Sequence, residues 1–327
     1  MDFIRVRELH KSFVYYRKEA GLKHSLKNLF ARKSLLKEAV KSVSFDIGPG
    51  ECVGFLGPNG AGKTTTLKML SGILYPTSGE ASVLGYVPWE RKNDFKRQFS
   101  IVMGQKNQLW WDLPASESIY LNKCIYDVDD DLYRRNLAEL SEMLDVQKLL
   151  NVQVRRLSLG ERMKMELIAA LIHRPRLLYL DEPTIGLDFP SQKKVREFLK
   201  YYNEQHGATI LLTSHYMKDV EDLCKRTIII NEGSLLYDGD LHKINHLFGE
   251  HKIIRLQFSE PVAQQRLAPY GKIVSHDDYN AVLELPKYRM KEVSRAVLDS
   301  FDILDWTIED VPIEESISRL YRKESVG

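Results

Sequence analysis

Short apolar runs alternate with longer stretches of helical periodicity through the first part of the chain. Cys52–Leu56, Arg176–Glu182, Thr209–Thr213 and Arg226–Ile230 are dominated by Val, Ile, Leu and Phe with few interruptions. Runs of that length and evenness predict strands covered on both faces, as in a parallel sheet. Ile4–Leu9, Val40–Asp46, Glu80–Leu84, Ser100–Met103 and Ser234–Tyr237 add further strands, the last entered by a hairpin turn at Asn231-Glu232-Gly233. Between them, Thr64–Leu70, Glu161–Ile172 and Val195–His206 carry apolar positions three and four apart. Ala115–Leu150 is mostly helical in pattern and predicts a helical insertion in an α/β core. After Gly239 the rhythm changes. Strands are predicted at Lys252–Phe258, Lys272–His276, Asn280–Glu284 and Ile303–Glu309, with a short helix around Arg266 and a clearer one over Lys287–Asp299. The order β-α-β-β-α-β predicts a small ferredoxin-like α+β domain. A final amphipathic stretch covers Ile313–Arg322.

Arg17–Glu38 stands apart. It holds seven Lys/Arg and two Glu, with Leu22, Leu26, Leu29, Phe30 and Leu36 near helical spacing, and reads as a basic amphipathic helix or helical hairpin. Contact with an acidic lipid surface or a membrane partner is one reading, and a solvated helix packed on the domain is the other.

The chain has 327 residues, enough for two domains, here 1–240 and 241–327. Lys+Arg 47 against Asp+Glu 45 is near balance, so bulk charge points to no polyanionic partner, nucleic acid included. Three scattered cysteines, Cys52, Cys124 and Cys224, suit a reducing compartment rather than a disulfide framework. Charges at Asp2, Arg5, Arg7 and Glu8 argue against a signal peptide. The apolar runs are far shorter than the roughly 18 residues a membrane-spanning helix needs.

The chemistry centres on Gly57–Thr65, which reads Gly-Pro-Asn-Gly-Ala-Gly-Lys-Thr-Thr. This is the phosphate-binding pattern G-x-x-x-x-G-K-[ST], placed between a predicted strand and a predicted helix. A loop that wraps a triphosphate must turn its backbone N–H groups inward, and the following helix adds the positive end of its dipole. Gly57, Pro58, Asn59, Gly60, Ala61, Gly62, Lys63, Thr64 and Thr65 are therefore expected to bind nucleotide, with Lys63 on the β- and γ-phosphates and the Thr64 hydroxyl on Mg²⁺. Asp181-Glu182 ends a hydrophobic strand. Asp181 is expected in the Mg²⁺ shell, and Glu182 to orient or deprotonate the attacking water.

Three further elements follow in order. Leu157-Ser158-Leu159-Gly160-Glu161 precedes a helix, Thr184-Ile185-Gly186-Leu187-Asp188 follows the carboxylates, and Thr213-Ser214-His215 ends the next strand. With these, residues 3–240 resemble the ATPase subunit of ABC transporters, a P-loop NTPase core with a helical subdomain, here 105–172. The resemblance implies that Gln105 is the Q-loop glutamine reaching Mg²⁺ and the attacking water. Ser158, Gly160 and Glu161 then occupy the signature motif, Asp188 is the D-loop aspartate, and His215 is the switch histidine at the γ-phosphate. The family's usual Leu-Ser-Gly-Gly-Gln is altered here at Leu159 and Glu161. Phe13 matches the aromatic that stacks on adenine, with Tyr15 and Tyr16 as rivals. The C-terminal domain is of the kind found in ATPases resembling the drug-, viologen- and polysaccharide-exporter group.

The same resemblance implies ATP and Mg²⁺ as ligands and separate transmembrane permease subunits as partners. It also implies a head-to-tail pair, with a second copy or a homologous ATPase, in which each ATP lies between Lys63 of one chain and Ser158 of the other. The expected location is the cytoplasmic face of the cell membrane. Leu109, Trp110, Trp111 and Leu113 form an apolar cluster after Gln105 that suits a permease's cytoplasmic helix, or else fills the subdomain core. The alternative function is a soluble mechanical ATPase of the same superfamily acting on ribosomes or DNA. Those relatives usually carry two cassettes or a long coiled coil, and neither is present here.

Overall fold

The computed structural model describes residues 3–16, 34–104, 106–244 and 251–324. The chain divides into two compact units, Met1–Gly239 and Asp240–Gly327.

In the first unit, the apolar runs become a six-stranded sheet with spatial order β5-β6-β7-β3-β8-β9. Its strands are β3 (Cys52–Leu56), β5 (Phe99–Met103), β6 (Leu177–Asp181), β7 (Thr209–Thr213), β8 (Arg226–Asn231) and β9 (Ser234–Asp240). The pairs β5–β6, β6–β7, β7–β3 and β3–β8 are all parallel. Parallel neighbours require crossovers, and helices supply them. The helices are α1 (Lys63–Leu70), α2 (Ala115–Ile125), α3 (Asp130–Met143), α4 (Leu159–Leu171), α5 (Phe189–His206) and α6 (Met217–Leu223). Because β7, β3 and β8 lie side by side, the loops after β3 and β7 open at one edge of the sheet, next to the end of β6. That is where ligands bind in open α/β sheets.

A second, antiparallel sheet of order β2-β1-β4 joins β1 (Ile4–Tyr16), β2 (Ser34–Ile47) and β4 (Ser78–Val83). Ile4, Val6, Leu9, Val43, Phe45 and Ile47 from this sheet share one buried core with Phe55, Leu67, Leu70 and Tyr179. Phe45 and Phe55 meet at 5.8 Å between ring centroids. Tyr179, fully buried, satisfies its hydroxyl by donating to the Leu70 carbonyl at 3.1 Å.

One expectation is corrected here. Residues 34–38, read above as the end of a basic helix, belong to β2, and residues 17–33 lie outside the described residues. The cause is cross-strand pairing. Phe13, Val14 and Tyr15 stand opposite Lys37, Leu36 and Leu35, so β-branched and aromatic partners outweigh the leucine spacing.

The second unit is a four-stranded antiparallel sheet of order β11-β12-β10-β13. It contains β10 (His251–Phe258), β11 (Lys272–His276), β12 (Asn280–Pro286) and β13 (Ile303–Asp310). With the short helix Gln264–Leu267 and α7 (Met290–Ser300) as crossovers, this is the ferredoxin-like arrangement. Ile254, Leu256, Phe258, Leu283, Leu285, Val293 and Val297 form its core. α8 (Ile313–Glu324) is held by Arg319, whose guanidinium binds Glu284 of β12 and Glu315 one turn earlier.

Candidate functional site

The P-loop leaves β3 at Leu56 and enters α1 at Lys63. Gly62 is the N-cap of α1 with φ 107°, and a Cβ there would stand 2.3 Å from the Ala39 carbonyl oxygen. Only glycine tolerates both the backbone angle and that approach. The loop, together with Phe13, Lys37, Ala39 and Glu182, lines a cleft of about 220 Å³. Lys63 is buried in its wall, and its Nζ donates to the carbonyls of Gly57 at 2.5 Å and Pro58 at 3.2 Å. Burial lowers the Lys63 pKa, while the carboxylates of Glu182 and Asp181 push it back up.

Asp181 ends β6 and is fixed by two hydroxyls. Thr64 donates to Oδ2 at 2.9 Å and Thr213 to Oδ1 at 2.6 Å. A hydroxyl and a carboxylate that converge this way are hard oxygen donors, the set that suits Mg²⁺, so Thr64 and Asp181 fit the expected metal ligands. Gln105, the third expected ligand, lies outside the described residues.

Glu182 follows at once, with φ 57°, a left-handed conformation uncommon for a residue with a side chain. Its backbone N–H donates to the Thr213 carbonyl at 3.0 Å, and its Oε1 lies 2.8 Å from His215 Nε2. Strain of this kind is kept where the surrounding contacts over-determine a position. Here they aim one carboxylate at the phosphate loop and the imidazole at that carboxylate.

The structure therefore lines one cleft with Phe13, the P-loop and Glu182, with Asp181 bonded to Thr64 and His215 to Glu182. Ser158, Gly160 and Glu161 do not line it. Ser158 is instead the N-cap of α4 in a complete capping box. Its N–H and its hydroxyl each lie 2.8 Å from Glu161 Oε2, and the Glu161 N–H donates back to Ser158 Oγ at 3.3 Å. Gly160 is needed for close approach, since a Cβ would stand 2.4 Å from Ser191 Oγ and 3.5 Å from Asp188 Oδ1. Asp188 caps α5 by position, beside the signature turn of its own chain.

Phe13 lines the cleft, whereas Tyr15 is exposed elsewhere on the same strand. Of the apolar cluster after Gln105, Leu109 is buried, and Trp110, Trp111 and Leu113 are exposed. Arg162 of α4 lies 5.8 Å from the Trp111 ring and 3.8 Å from Glu166 Oε1. Glu166 is only 2% exposed and accepts from the Gln108 backbone N–H.

Sequence reading missed Lys37, opposite Phe13 on β2, because the register that brings it to the cleft depends on a distant strand. It also missed Asp219. This fully buried carboxylate of α6 accepts from Thr184, from Ser214 at 2.7 Å and from Arg196 at 3.0 Å. It thus ties the segment after Glu182 to the one before His215. A charged residue in a short amphipathic helix gave no local signal of that burial.

Comparison with known proteins agrees with this geometry. Residues 40–185 match the ABC transporter family model, and residues 250–309 match the model of the EvrA-like ABC transporter, C-terminal domain. The chain is 34% identical to the linearmycin resistance ATP-binding protein LnrL of Bacillus subtilis, over 72% of this chain and 74% of that one. It is 35% identical to the Nod factor export ATP-binding protein I of Burkholderia pseudomallei, over 72% of this chain and 77% of that one. Among solved structures, an ATP-binding subunit of an ABC transporter superposes with a TM-score of 0.63 at 26% identity, covering 76% of this chain and 93% of that chain.

Proposed function

The chain belongs to the family of ABC transporter ATP-binding proteins, and from that premise we propose that it energises export through separate transmembrane permease subunits, working as a head-to-tail pair. It is an ATPase. The observation that carries the reading is the joined pair of contacts Thr64–Asp181 and Glu182–His215, set around one P-loop cleft.

In this reading Lys63 and the P-loop N–H groups hold the β- and γ-phosphates, and Phe13 stacks on the adenine. Thr64, Asp181 and Gln105 would hold Mg²⁺, which would neutralise charge on the phosphate oxygens. Glu182 orients the attacking water and takes its proton, and His215 fixes the carboxylate and reaches the γ-phosphate. Ser158 and Gly160, which do not line their own cleft, complete the cleft of the second copy or of a homologous subunit. Asp188, packed beside Gly160, lies at that same interface.

Export is supported by the relatives' names, which speak of resistance and of Nod factor export. Among the described residues no helix is long and apolar enough to cross a membrane; in this reading the pump's pathway is assigned to partner subunits. The exposed Trp110, Trp111 and Leu113 suit a permease's cytoplasmic helix, and the basic segment 17–33 suits the acidic face of the membrane beside it. The protein then sits peripherally on the cytoplasmic face. The test is to purify the tagged chain from gently solubilised membranes. A polytopic partner at near-equal stoichiometry is expected. Recovery from the soluble fraction with ribosomal or DNA-bound proteins refutes the assignment.

A further inference from the structure

Cys52 opens β3, the strand that runs into the P-loop, and Cys224 is the C-cap of α6, the helix behind the His215 segment. Their sulfurs stand 3.5 Å apart. The packing explains why. Side chains alternate along a strand, so residues 52 and 54 share a face of β3. Residue 54 is glycine, and a Cβ there would lie 2.7 Å from Val220 Cγ1 and 3.8 Å from Cys224 Cβ. The missing side chain lets α6 settle onto β3, and its last turn delivers Cys224 over Cys52.

The two thiols differ in access. Cys52 is half-exposed, and Cys224 is buried. The contact with Cys52 and burial raise the Cys224 thiol pKa well above its ordinary value, so Cys224 is not the first thiol to ionise. Cys124, the third cysteine, lies exposed on α2, away from this pair.

We propose that Cys52 and Cys224 are a reversible redox-modification site, converted by a peroxide into a disulfide that pins the P-loop strand to the helix behind His215. In the first step the Cys52 thiolate attacks one peroxide oxygen. The O–O bond breaks, sulfur is oxidised to the sulfenic acid, and the other oxygen leaves as water after protonation. In the second, the Cys224 sulfur attacks the sulfenyl sulfur, the S–O bond breaks, and the hydroxyl leaves with the Cys224 proton as a second water. Two thiols and one hydrogen peroxide give one disulfide and two waters. A dithiol reverses it by exchange.

A disulfide bond is about 2.05 Å long, so closure draws the sulfurs together by roughly 1.5 Å. Closure therefore pulls on the end of α6, and α6 carries Asp219, which grips Thr184 and Ser214 on either side of the Glu182–His215 contact. The linked form is therefore expected to turn over ATP more slowly.

The experiment uses the full chain with Cys124→Ala, titrated with hydrogen peroxide and digested without reductant. The expected product is a linked peptide pair containing Cys52 and Cys224, with both thiols lost together. ATPase activity falls severalfold and returns with dithiothreitol. Cys224→Ser should keep its activity through the same peroxide dose, and Cys52→Ser serves as the second variant should the buried serine impair folding. Accumulation of sulfinic acid on Cys52 beside a free Cys224 overturns the proposal, as does unchanged turnover in fully linked protein.

Discussion

Glu166→Gln offers a prediction whose size follows from the structure. Glu166 lies on α4, 2% exposed, with its Oε2 lacking a hydrogen-bond partner. Burial raises its pKa from 4.5 to about 7, against the opposing pull of Arg162 and of the Gln108 N–H. In the unfolded chain the group ionises near its ordinary value, so between about pH 4.5 and 7 the folded state binds more protons than the unfolded one. Stability then falls as pH rises through that window, since the slope follows the difference in bound protons. From the two pKa values, the loss attributable to Glu166 between pH 5 and pH 8.5 is about 2.5 kcal/mol. Glutamine keeps the acceptor for the Gln108 N–H but cannot ionise. The variant should therefore match the wild type at pH 5 to within roughly 1 kcal/mol and exceed it at pH 8.5 by about 2 kcal/mol. Urea unfolding at the two pH values measures this. Tryptophan fluorescence in a Trp306→Phe background reports on the first unit alone, because Trp89, Trp110 and Trp111 all lie in it. A difference between variant and wild type that is the same at both pH values refutes the reasoning, since the carboxyl would then not be titrating against its burial.

Other consequences can be checked alongside. His173, stacked on Tyr126 at 3.6 Å and held by burial to a pKa of about 4, has the opposite sign. Its folded form resists protonation, so stability falls as pH drops from 6.5 towards 4, and His173→Gln should flatten that acid limb by up to about 3 kcal/mol. Asp219→Ala strips the Thr184 hydroxyl of its partner and leaves buried Arg196 with Asp222 alone, while Ser214 keeps Tyr216, and should cost about 3 kcal/mol by denaturant titration. Glu182→Gln should lower steady-state phosphate release by ~10² or more while ATP still binds, and unchanged release removes Glu182 from catalysis. Phe13→Ala should weaken ATP binding about tenfold in calorimetry, and Tyr15→Ala should leave it near wild type.

What could be read from the sequence was what is local. Strand, loop and helix around Gly57–Thr65 are contiguous, and so is the apolar run that ends in Asp181-Glu182, so spacing alone places their side chains at a sheet edge. The ferredoxin-like order of the second unit was legible for the same reason, because its strands and helices follow one another with short connections. Residues 34–38 escaped because their leucines sit at helical spacing, while the structure pairs them with Phe13–Tyr15, a strand about twenty residues upstream. Lys37 reaches the cleft only through that register. Asp219 and Glu166 escaped differently. Each is a carboxylate in an amphipathic helix, where charge ordinarily marks the solvated face. Their burial depends on what packs over them, namely Arg196 with two hydroxyls for Asp219, and the Gln108 backbone for Glu166.

Those hidden groups share a position that bears on function. Asp219 joins the segment after Glu182 to the segment before His215, and Glu166 joins the chain after Gln105 to the helix that Ser158 caps. Of the side chains that motif spacing points to, Phe13, Lys63, Thr64 and Glu182 line the P-loop cleft. The ones it does not point to link the loops that carry those side chains. A loop that must move between nucleotide states is held by few contacts, so a buried carboxylate with several partners fixes its position more firmly than apolar packing of the same area, because losing one partner strands the others. The same logic explains the altered signature. Glu161 caps α4 and holds the Ser158 hydroxyl at 2.8 Å, so a γ-phosphate from a second copy would have to compete with a carboxylate for that hydroxyl. Removing one unit of negative charge in contact range of a phosphate is worth about 1 kcal/mol in a solvated interface, roughly fivefold in affinity. Glu161→Gln, combined with Glu182→Gln to suppress turnover, should therefore shift ATP-dependent pairing to about fivefold lower ATP, measured by light scattering. If pairing weakens instead, the carboxylate is a nucleotide contact rather than a competitor, and the Ser158–Glu161 capping box describes only the unpaired chain.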